Sequence, residues 1–427
     1  MLTFRHNAQF STAAVWCAIA LGFTIPISTA ASNLLLALTL LFFLLSGNYR
    51  DKWQCLSPTA PAALAALAFC ALAILGCGWG AGTPPDKLHY LTKYLSLLLI
   101  PLLIPLFSDA RARQQALAAF CAAMTLTLLL SFLLWFDALR WLPPELHATL
   151  TQARDPEFPV TRNAVVFKLS ITHGFLMALA AYLLLLAAVE ATTRSRRLLL
   201  GGLAALMAFN VLFMIIGRTG HVVLAVLVSY FLLTRYRQPP NARQLGVLLL
   251  GLSLLAITVW QFSPTLQARA DKAITEAWQW QAGRGDKSSI GLRFDYYRNT
   301  LAIIQAHPLL GVGSGGFPAA YDTQVQGTAM ARSNNPHNQY LLITAQYGLP
   351  GLLLLLTLYA TCWRAAAPLP APQRQAVRGI LLAFLVGNLF NSFLLDFSER
   401  LFFAWACGVL LAGQRNEPAS PAAESQR

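Results

Sequence analysis

The chain has 427 residues, of which 56% are hydrophobic and only 11% are charged. Because soluble domains carry about 25% charged residues, this composition excludes a soluble globular protein and indicates an all-α, polytopic membrane protein. The net charge of +14 points to cytoplasmic loops and anionic lipid or phosphate ligands rather than nucleic acid, for which no soluble basic domain is present.

Apolar runs along the chain predict about twelve transmembrane helices, since each span needs about 20 apolar residues. The runs begin near Phe10, Ala31, Ala60, Tyr90, Gln115, Phe167, Arg197, Thr219, Arg243, Asn338, Ala376 and Ser398. The first run resembles a signal peptide but is interpreted as a retained first helix. Lys and Arg are more frequent in the short loops on the side of the N-terminus, which predicts that both termini are cytoplasmic.

The longest polar segment lies between the ninth and tenth predicted spans. Helices are expected within it at 266–282 and 289–306, followed by a glycine-rich loop at 311–316 that is either a turn or a backbone anion site. A loop of this length with its own structure is more often functional than a linker. The expected domains are transmembrane helices at 1–262, a periplasmic loop domain at 263–337, transmembrane helices at 338–413 and a cytoplasmic tail at 414–427.

The junction of this segment with the tenth span holds the first candidate residue, His337. Pro336 suits a helix start because it lacks an N–H, so His337 is expected in the first turn of a membrane helix. A helix N-terminus favours an anion such as phosphate, and histidine suits a general base or proton shuttle. The alternative is a capping histidine at the interface. Asn335 and Asn338 supply amides that orient His337 or bind a sugar.

Basic residues near the ends of apolar runs are the second set of candidates. Arg218 lies between two helices with almost no loop, where a guanidinium binds phosphate oxygens in a bidentate manner; the alternative is a snorkelling arginine. Arg162 and Lys168 bracket the start of the sixth span, and Lys168 is expected one turn inside an apolar helix, where it needs a partner or a ligand.

Helix 289–306 carries two further arginines. Arg298 is expected to form an i,i+3 pair with Asp295, which leaves Arg293 as the freer cation. His173, deeper in the sixth span, is interpreted as a satisfied packing residue. The carboxylates Asp396 and Glu399 are interpreted as capping the twelfth span.

Several metal and nucleotide motifs are missing from the sequence. No Asp-x-Asp pair appears, so glycosyl transfer through a carboxylate-bound metal is disfavoured, and no Cys-x-x-Cys pair appears either. The glycine-rich loop lacks the Gly-Lys-Ser/Thr ending of a P-loop, so ATP binding is not supported.

At two places the residues resemble one known family. His337-Asn338, nine residues and then Gly348-Leu-Pro-Gly351 resemble the histidine motif of the O-antigen ligases, and Gly217-Arg218-Thr-Gly220 resembles their arginine motif. The arginine motif often continues Arg-x-x-x-Leu, whereas here Val222 stands four residues after Arg218. Arg293 and the run His307 to Phe317 resemble the large periplasmic loop of the same family.

The resemblance implies a glycosyltransferase-C-like helical fold in the inner membrane with its active site on the periplasmic face. The implied reaction transfers an undecaprenyl-diphosphate-linked polysaccharide onto lipid A-core, without nucleotide or metal cofactor and with inversion. In that reaction Arg218 is the first candidate to stabilise the diphosphate, and Arg293, Arg162 and Lys168 are the weaker candidates. His337 is the base.

Three alternatives stay open at this point. An O-antigen polymerase uses the same donor with a growing glycan as acceptor, and a protein O-oligosaccharyltransferase uses the same donor with a protein acceptor. A lipid-linked glycan transporter is disfavoured, because transporters place charges along a midplane pathway and often show repeats, whereas the candidate charges here cluster at one face.

Overall fold

In the computed structural model, every regular element among the described residues is a helix. The structure describes residues 2–139, 141–143, 145, 150, 164–236, 241–281 and 288–413. Arg162 and the predicted cytoplasmic tail at 414–427 lie outside the described residues.

The helices of the first half are α1 (Leu2–Thr24), α2 (Thr29–Leu45), α3 (Tyr49–Cys55), α4 (Ala60–Leu75), α5 (Pro84–Tyr94), α6 (Leu99–Leu103), α7 (Ala110–Trp135), α8 (Ser170–Glu190) and α9 (Arg194–Phe209). The helices of the second half are α10 (Arg218–Leu233), α11 (Ala242–Phe262), α12 (Pro264–Gln279), α13 (Ser289–Ala306), α14 (Phe317–Val325), α15 (Gln339–Ala365), α16 (Ala371–Gly387) and α17 (Phe397–Leu410).

Five helical segments among the described residues are long and apolar enough to cross a membrane. A sixth span results if α2 and α3, which meet at a bend of 112°, count as one. Several apolar helices meet the length expected for a span, so the chain has the character of a polytopic membrane protein. The full set of twelve spans stays a prediction.

The fourth predicted span is not a continuous helix. The chain from Tyr90 onward divides into the end of α5, a 3₁₀ turn at Leu95–Leu98 and the short helix α6. Pro101 and Pro105 remove two of the N–H donors that a continuous helix needs, and the residue before each proline is biased away from helical geometry. The predicted span is thus built from successive helical pieces, and its crossing of the membrane stays a prediction.

Glycines bring α8 and α10 into close contact. A Cβ placed on Gly220 would lie 2.9 Å from the carbonyl carbon of Gly174, and a Cβ on Gly217 would lie 2.8 Å from the carbonyl oxygen of Ser170. Small residues at a helix interface let the two backbones approach in this way. The glycines that flank Arg218 thus serve the packing of a neighbouring helix and fix where Arg218 begins α10.

Helix α15 breaks at Gly348 and Pro350, the glycine and proline of the histidine motif. Gly348 has φ +65° and ψ −166°, and Pro350 has no N–H to bond the carbonyl of Gln346. The carbonyls of Ala345 and Gln346 instead accept bonds from N–H groups of the glycine-rich loop 311–316, each with an N···O distance of 2.8 Å. The loop is therefore a turn that closes the break, and these N–H groups are not free to bind an anion.

The loop segment before α15 contains the two expected helices. The helix predicted at 289–306 is α13, and the helix predicted at 266–282 is α12, which starts and ends slightly earlier. The expected pair between Asp295 and Arg298 does not form. Asp295 is buried and accepts a bond from the indole N–H of Trp280, whereas Arg298 is exposed.

Candidate functional site

His337 lies just outside α15 rather than in its first turn. The helix begins at Gln339 because Asn338 caps it, with Oδ1 accepting the backbone N–H of Leu341 at 3.0 Å. The backbone of His337 is left-handed, with φ +54°. The expectation that Pro336 starts the helix was wrong. Proline has no side-chain acceptor for the unpaired N–H groups of the first turn, whereas Asn338 supplies one.

The left-handed turn at His337 is held by Asn335. The side-chain Oδ1 of Asn335 accepts the backbone N–H of His337 at 2.8 Å, which is the bond of an Asx turn. A non-glycine residue in this region costs about 1–3 kcal/mol and persists only where the surroundings enforce it. The side-chain oxygens of Asn335 and Asn338 therefore both accept backbone N–H groups around His337, and both residues orient the backbone there.

One face of α13 packs against His337. The ring of Tyr296 stacks on the imidazole, with centroids 5.9 Å apart and planes 24° apart. The hydroxyl of Tyr297 lies 3.4 Å from the His337 carbonyl oxygen and donates toward it. Arg293 stands one turn earlier on the same face, as the i, i+3 and i+4 spacing requires.

The positive charge of Arg293 is close enough to affect the protonation of the His337 imidazole. Burial and, second, the positive charge of Arg293 lower the pKa of His337 to about 4. Both causes disfavour the imidazolium, so the ring is neutral at pH 7. Neither ring nitrogen is hydrogen-bonded to any described residue, which leaves both free for a substrate.

Arg218 extends this positive region. Its Nη2 approaches the hydroxyl of Ser289 at 3.5 Å, and Ser289 lies one turn before Arg293 on α13. Burial and, second, the charge of Arg218 lower the pKa of Arg293. In the part of the chain that the structure describes, neither guanidinium is ion-paired with a carboxylate; the ion pairs join other side chains. Two unpaired like charges at one place favour a bound anion.

Lys168 does not belong to this group. It lies before the start of α8 rather than one turn inside a helix, and its Nζ bonds the hydroxyl of Thr29 at 3.1 Å. Burial lowers the pKa of Lys168, opposed by the charge of Glu399. Lys168 thus has protein partners of its own, and among the described residues it makes no contact with Arg218, Arg293 or His337.

The remaining titratable candidates are His173, Asp396 and Glu399. His173 is buried, and its two ring nitrogens meet the N–H of Val166 at 3.1 Å and Oδ1 of Asn210 at 3.2 Å, which confirms the prediction of a satisfied packing residue. Asp396 occupies the N-cap of α17 but makes no side-chain capping bond, and Glu399 is buried in the first turn.

The loop between α16 and α17, residues 388–396, contacts the three elements that carry Arg218, Arg293 and His337. The sequence pattern did not predict these contacts. Asn391 is buried, and its Nδ2 donates to the hydroxyl of Thr219, next to Arg218, at 2.9 Å. The carbonyl of Leu389 accepts from Nδ2 of Asn338 at 3.0 Å and from the Tyr297 hydroxyl at 3.2 Å. One loop thereby contacts α10, α13 and the start of α15.

The same loop is tied to the first residue of α15. The N–H of Gln339 donates to the carbonyl of Asn388 at 2.9 Å, and Oε1 of Gln339 accepts the N–H of Leu394 at 2.8 Å. The only signal in the sequence was a pair of asparagines, at 388 and 391, within an otherwise apolar region. The hydrogen-bond partners of these asparagines cannot be predicted from local sequence patterns, because the partners are distant in sequence.

Comparison with known proteins bears on this same region. Residues 203–356 match the family model described as O-antigen ligase, and this range contains Arg218, Arg293 and His337. An uncharacterized protein of Haemophilus influenzae is 28% identical over 150 residues, which is 34% of this chain and 37% of that protein's length. The match over residues 203–356 supports membership of the O-antigen ligase and polymerase superfamily.

Proposed function

We propose that this protein is an O-antigen ligase, which transfers a polysaccharide from undecaprenyl diphosphate to lipid A-core in the inner membrane. The observation that carries the proposal is the grouping of Arg218, Arg293 and His337 from three separate helix ends. The family match supports a glycan ligase or polymerase, and the grouping supplies the chemistry that such a reaction needs.

The two arginines are suited to the leaving group. As the glycosidic bond breaks, negative charge grows on the departing diphosphate, and prearranged cations that face it stabilise the transition state. Arg218 and Arg293 present guanidinium groups that bind phosphate oxygens in pairs. Their mutual repulsion in the free protein is relieved when the dianionic group binds between them.

His337 is suited to activate the acceptor. In the proposed step a neutral ring nitrogen takes the proton of an acceptor hydroxyl while that oxygen bonds to the anomeric carbon. The bond from the same carbon to the diphosphate breaks, and undecaprenyl diphosphate leaves on the opposite face with inversion. A base needs a free lone pair. The low pKa of His337 keeps the ring unprotonated, and no described residue bonds its ring nitrogens.

The site lies where α10 and α15 begin, beside the helices of the loop segment. In the proposed arrangement this end faces the periplasm, the lipid tail of the donor lies between helices, and the sugars extend toward the loop domain at 263–337. Donor and acceptor then meet at the membrane surface, where both lipids hold their head groups.

The first experiment replaces His337 by Ala at native expression in a strain that lacks the native enzyme. We expect polymer to accumulate on the lipid carrier and polymer-capped lipopolysaccharide to disappear from gels, while His89→Ala, a change at an exposed histidine on α5, leaves capping normal. Normal capping with the His337 variant contradicts the base assignment. A strain in which loss of the protein leaves single repeat units on the core identifies a polymerase instead.

A further inference from the structure

An open groove runs along the outside of α13, beside the face that carries Arg293. Its volume is about 560 Å³. The lining residues are Trp280, Phe294, Arg298, Leu301, Ala302 and Gln305. None of them takes part in the site already described, and the lining combines two aromatic rings with a guanidinium and an amide.

The groove and the proposed active site occupy neighbouring stripes of one helix. Residues 294, 298, 301 and 305 follow helical spacing and therefore line up along α13. Successive residues are about 100° apart around a helix, and Phe294 directly follows Arg293 while Arg298 directly follows Tyr297. The groove therefore adjoins one side of the Arg293 face.

Trp280 lines the groove and is held in place by two contacts. Its indole N–H donates to Oδ1 of Asp295 at 3.1 Å, and Asp295 is only 1% exposed. Its ring also packs edge-on against Phe294, with centroids 5.2 Å apart and planes at 67°. A tryptophan anchored in a membrane interface directs its N–H to the wet head-group layer, whereas this N–H points into the protein.

We propose that the groove is a subsite for sugar units of the donor glycan beyond the unit that is transferred at His337. The C–H face of a pyranose ring packs on an aromatic ring face, and hydroxyl or carboxylate groups of the sugar accept bonds from Arg298 and Gln305. Arg298 is exposed and unpaired with any described carboxylate, so it is available for this contact. The inference rests on the proposed function and adds the binding of a long glycan.

The test compares two donors purified from the host, one with a single repeat unit and one with the polymer, in transfer assays with the full chain in nanodiscs. Trp280→Ala and Arg298→Ala are expected to lower kcat/KM for the polymeric donor about three- to tenfold, with little change for the single-unit donor. Trp280→Phe, which keeps a ring, is expected to recover part of the loss. Trp278→Ala is the matched control, because Trp278 is 85% exposed and does not line the groove.

Equal losses with both donors, or no loss with either, overturn the subsite. A direct binding experiment separates this outcome from failure of the proposed function. Polysaccharide released from the host's lipopolysaccharide by mild acid is titrated into the purified chain, with binding followed by calorimetry. Binding that Arg298→Ala weakens supports the groove even if no ligation is observed, and equal binding by both proteins contradicts it.

Discussion

The proposed role of the single residue His337 as a base depends on how its surroundings set the protonation of the imidazole ring. Histidine near neutral pH would be half charged, but burial and the charge of Arg293 keep this ring neutral. The sequence located the histidine, through its motif, and both arginines. It did not show that Tyr296 stacks on the ring, because that contact comes from a helix about 40 residues earlier. It also did not show the left-handed turn that Asn335 holds at His337.

The low pKa of His337 gives a prediction for the pH dependence of transfer. Activity that needs the neutral ring is retained as pH falls through 6.5 and is lost near pH 4. Arg293→Gln removes a positive neighbour, so the charged form becomes easier to reach and the pKa rises. The acid limb of kcat/KM against pH is therefore expected to move to higher pH in the residual activity of this variant. A wild-type limb near 6.5, or a downward shift, would count against the assignment.

At the scale of elements, the 388–396 loop connects α10, α13 and the start of α15 through hydrogen bonds. It contacts α10 through Thr219, α13 through Tyr297 and the start of α15 through Asn338. Local patterns predicted α13 with its observed bounds, since a serine cap precedes a helix-forming run. They did not predict the 3₁₀ turn at Leu95–Leu98 within the fourth span. They also did not predict the contacts of this loop, whose partners lie up to 172 residues away.

The hydroxyl of Thr219 gives a matched pair of variants for this loop. Thr219→Val keeps the shape but leaves Nδ2 of buried Asn391 without its acceptor, which costs about 1–3 kcal/mol. Thr219→Ser keeps the acceptor. We expect the valine variant to lower kcat about tenfold through displacement of Arg218, with the serine variant close to wild type. Per-molecule activity that is the same in both folded variants would refute a positioning role.

The break in α15 gives a prediction about stability. Gly348 has φ +65°, and a Cβ there would overlap the backbone carbonyl of Leu309. Gly348→Ala is therefore expected to lose at least about 1–3 kcal/mol and to lower the thermal unfolding midpoint in detergent. Gly202→Ala in α9 is the control, because a Cβ there has open space and the helix favours alanine. Equal midpoints for the two variants would show that the break is not required.

At the scale of the whole molecule, composition predicted the class of protein, and the helical structure with several apolar spans agrees with it. The orientation across the membrane rests on the distribution of Lys and Arg. The domain boundaries rest on the polar segment at 263–337. Helix α13 within that segment carries the Arg293 face and, with Trp280, lines the groove. The side of the membrane on which it lies therefore decides which substrates can reach the site.

Fusions to alkaline phosphatase, which is active only in the periplasm, test that orientation. A fusion truncated after Gln279, at the end of α12, is expected to be active, and a fusion at the C-terminus is expected to be inactive. A fluorescent protein at the C-terminus, which folds in the cytoplasm, is expected to give signal in whole cells. Phosphatase activity from the C-terminal fusion would reverse the predicted placement of the termini.

In the proposed mechanism, Arg218 and Arg293 hold the diphosphate while His337 acts on the acceptor. The most direct test is the affinity of the purified chain in nanodiscs for undecaprenyl diphosphate, the leaving group itself. Arg218→Gln and Arg293→Gln are each expected to weaken binding about tenfold or more. His337→Ala is expected to bind normally while losing transfer, and Arg332→Gln, at an exposed arginine paired with Asp322, serves as the control. Wild-type affinity in both arginine variants would contradict the account.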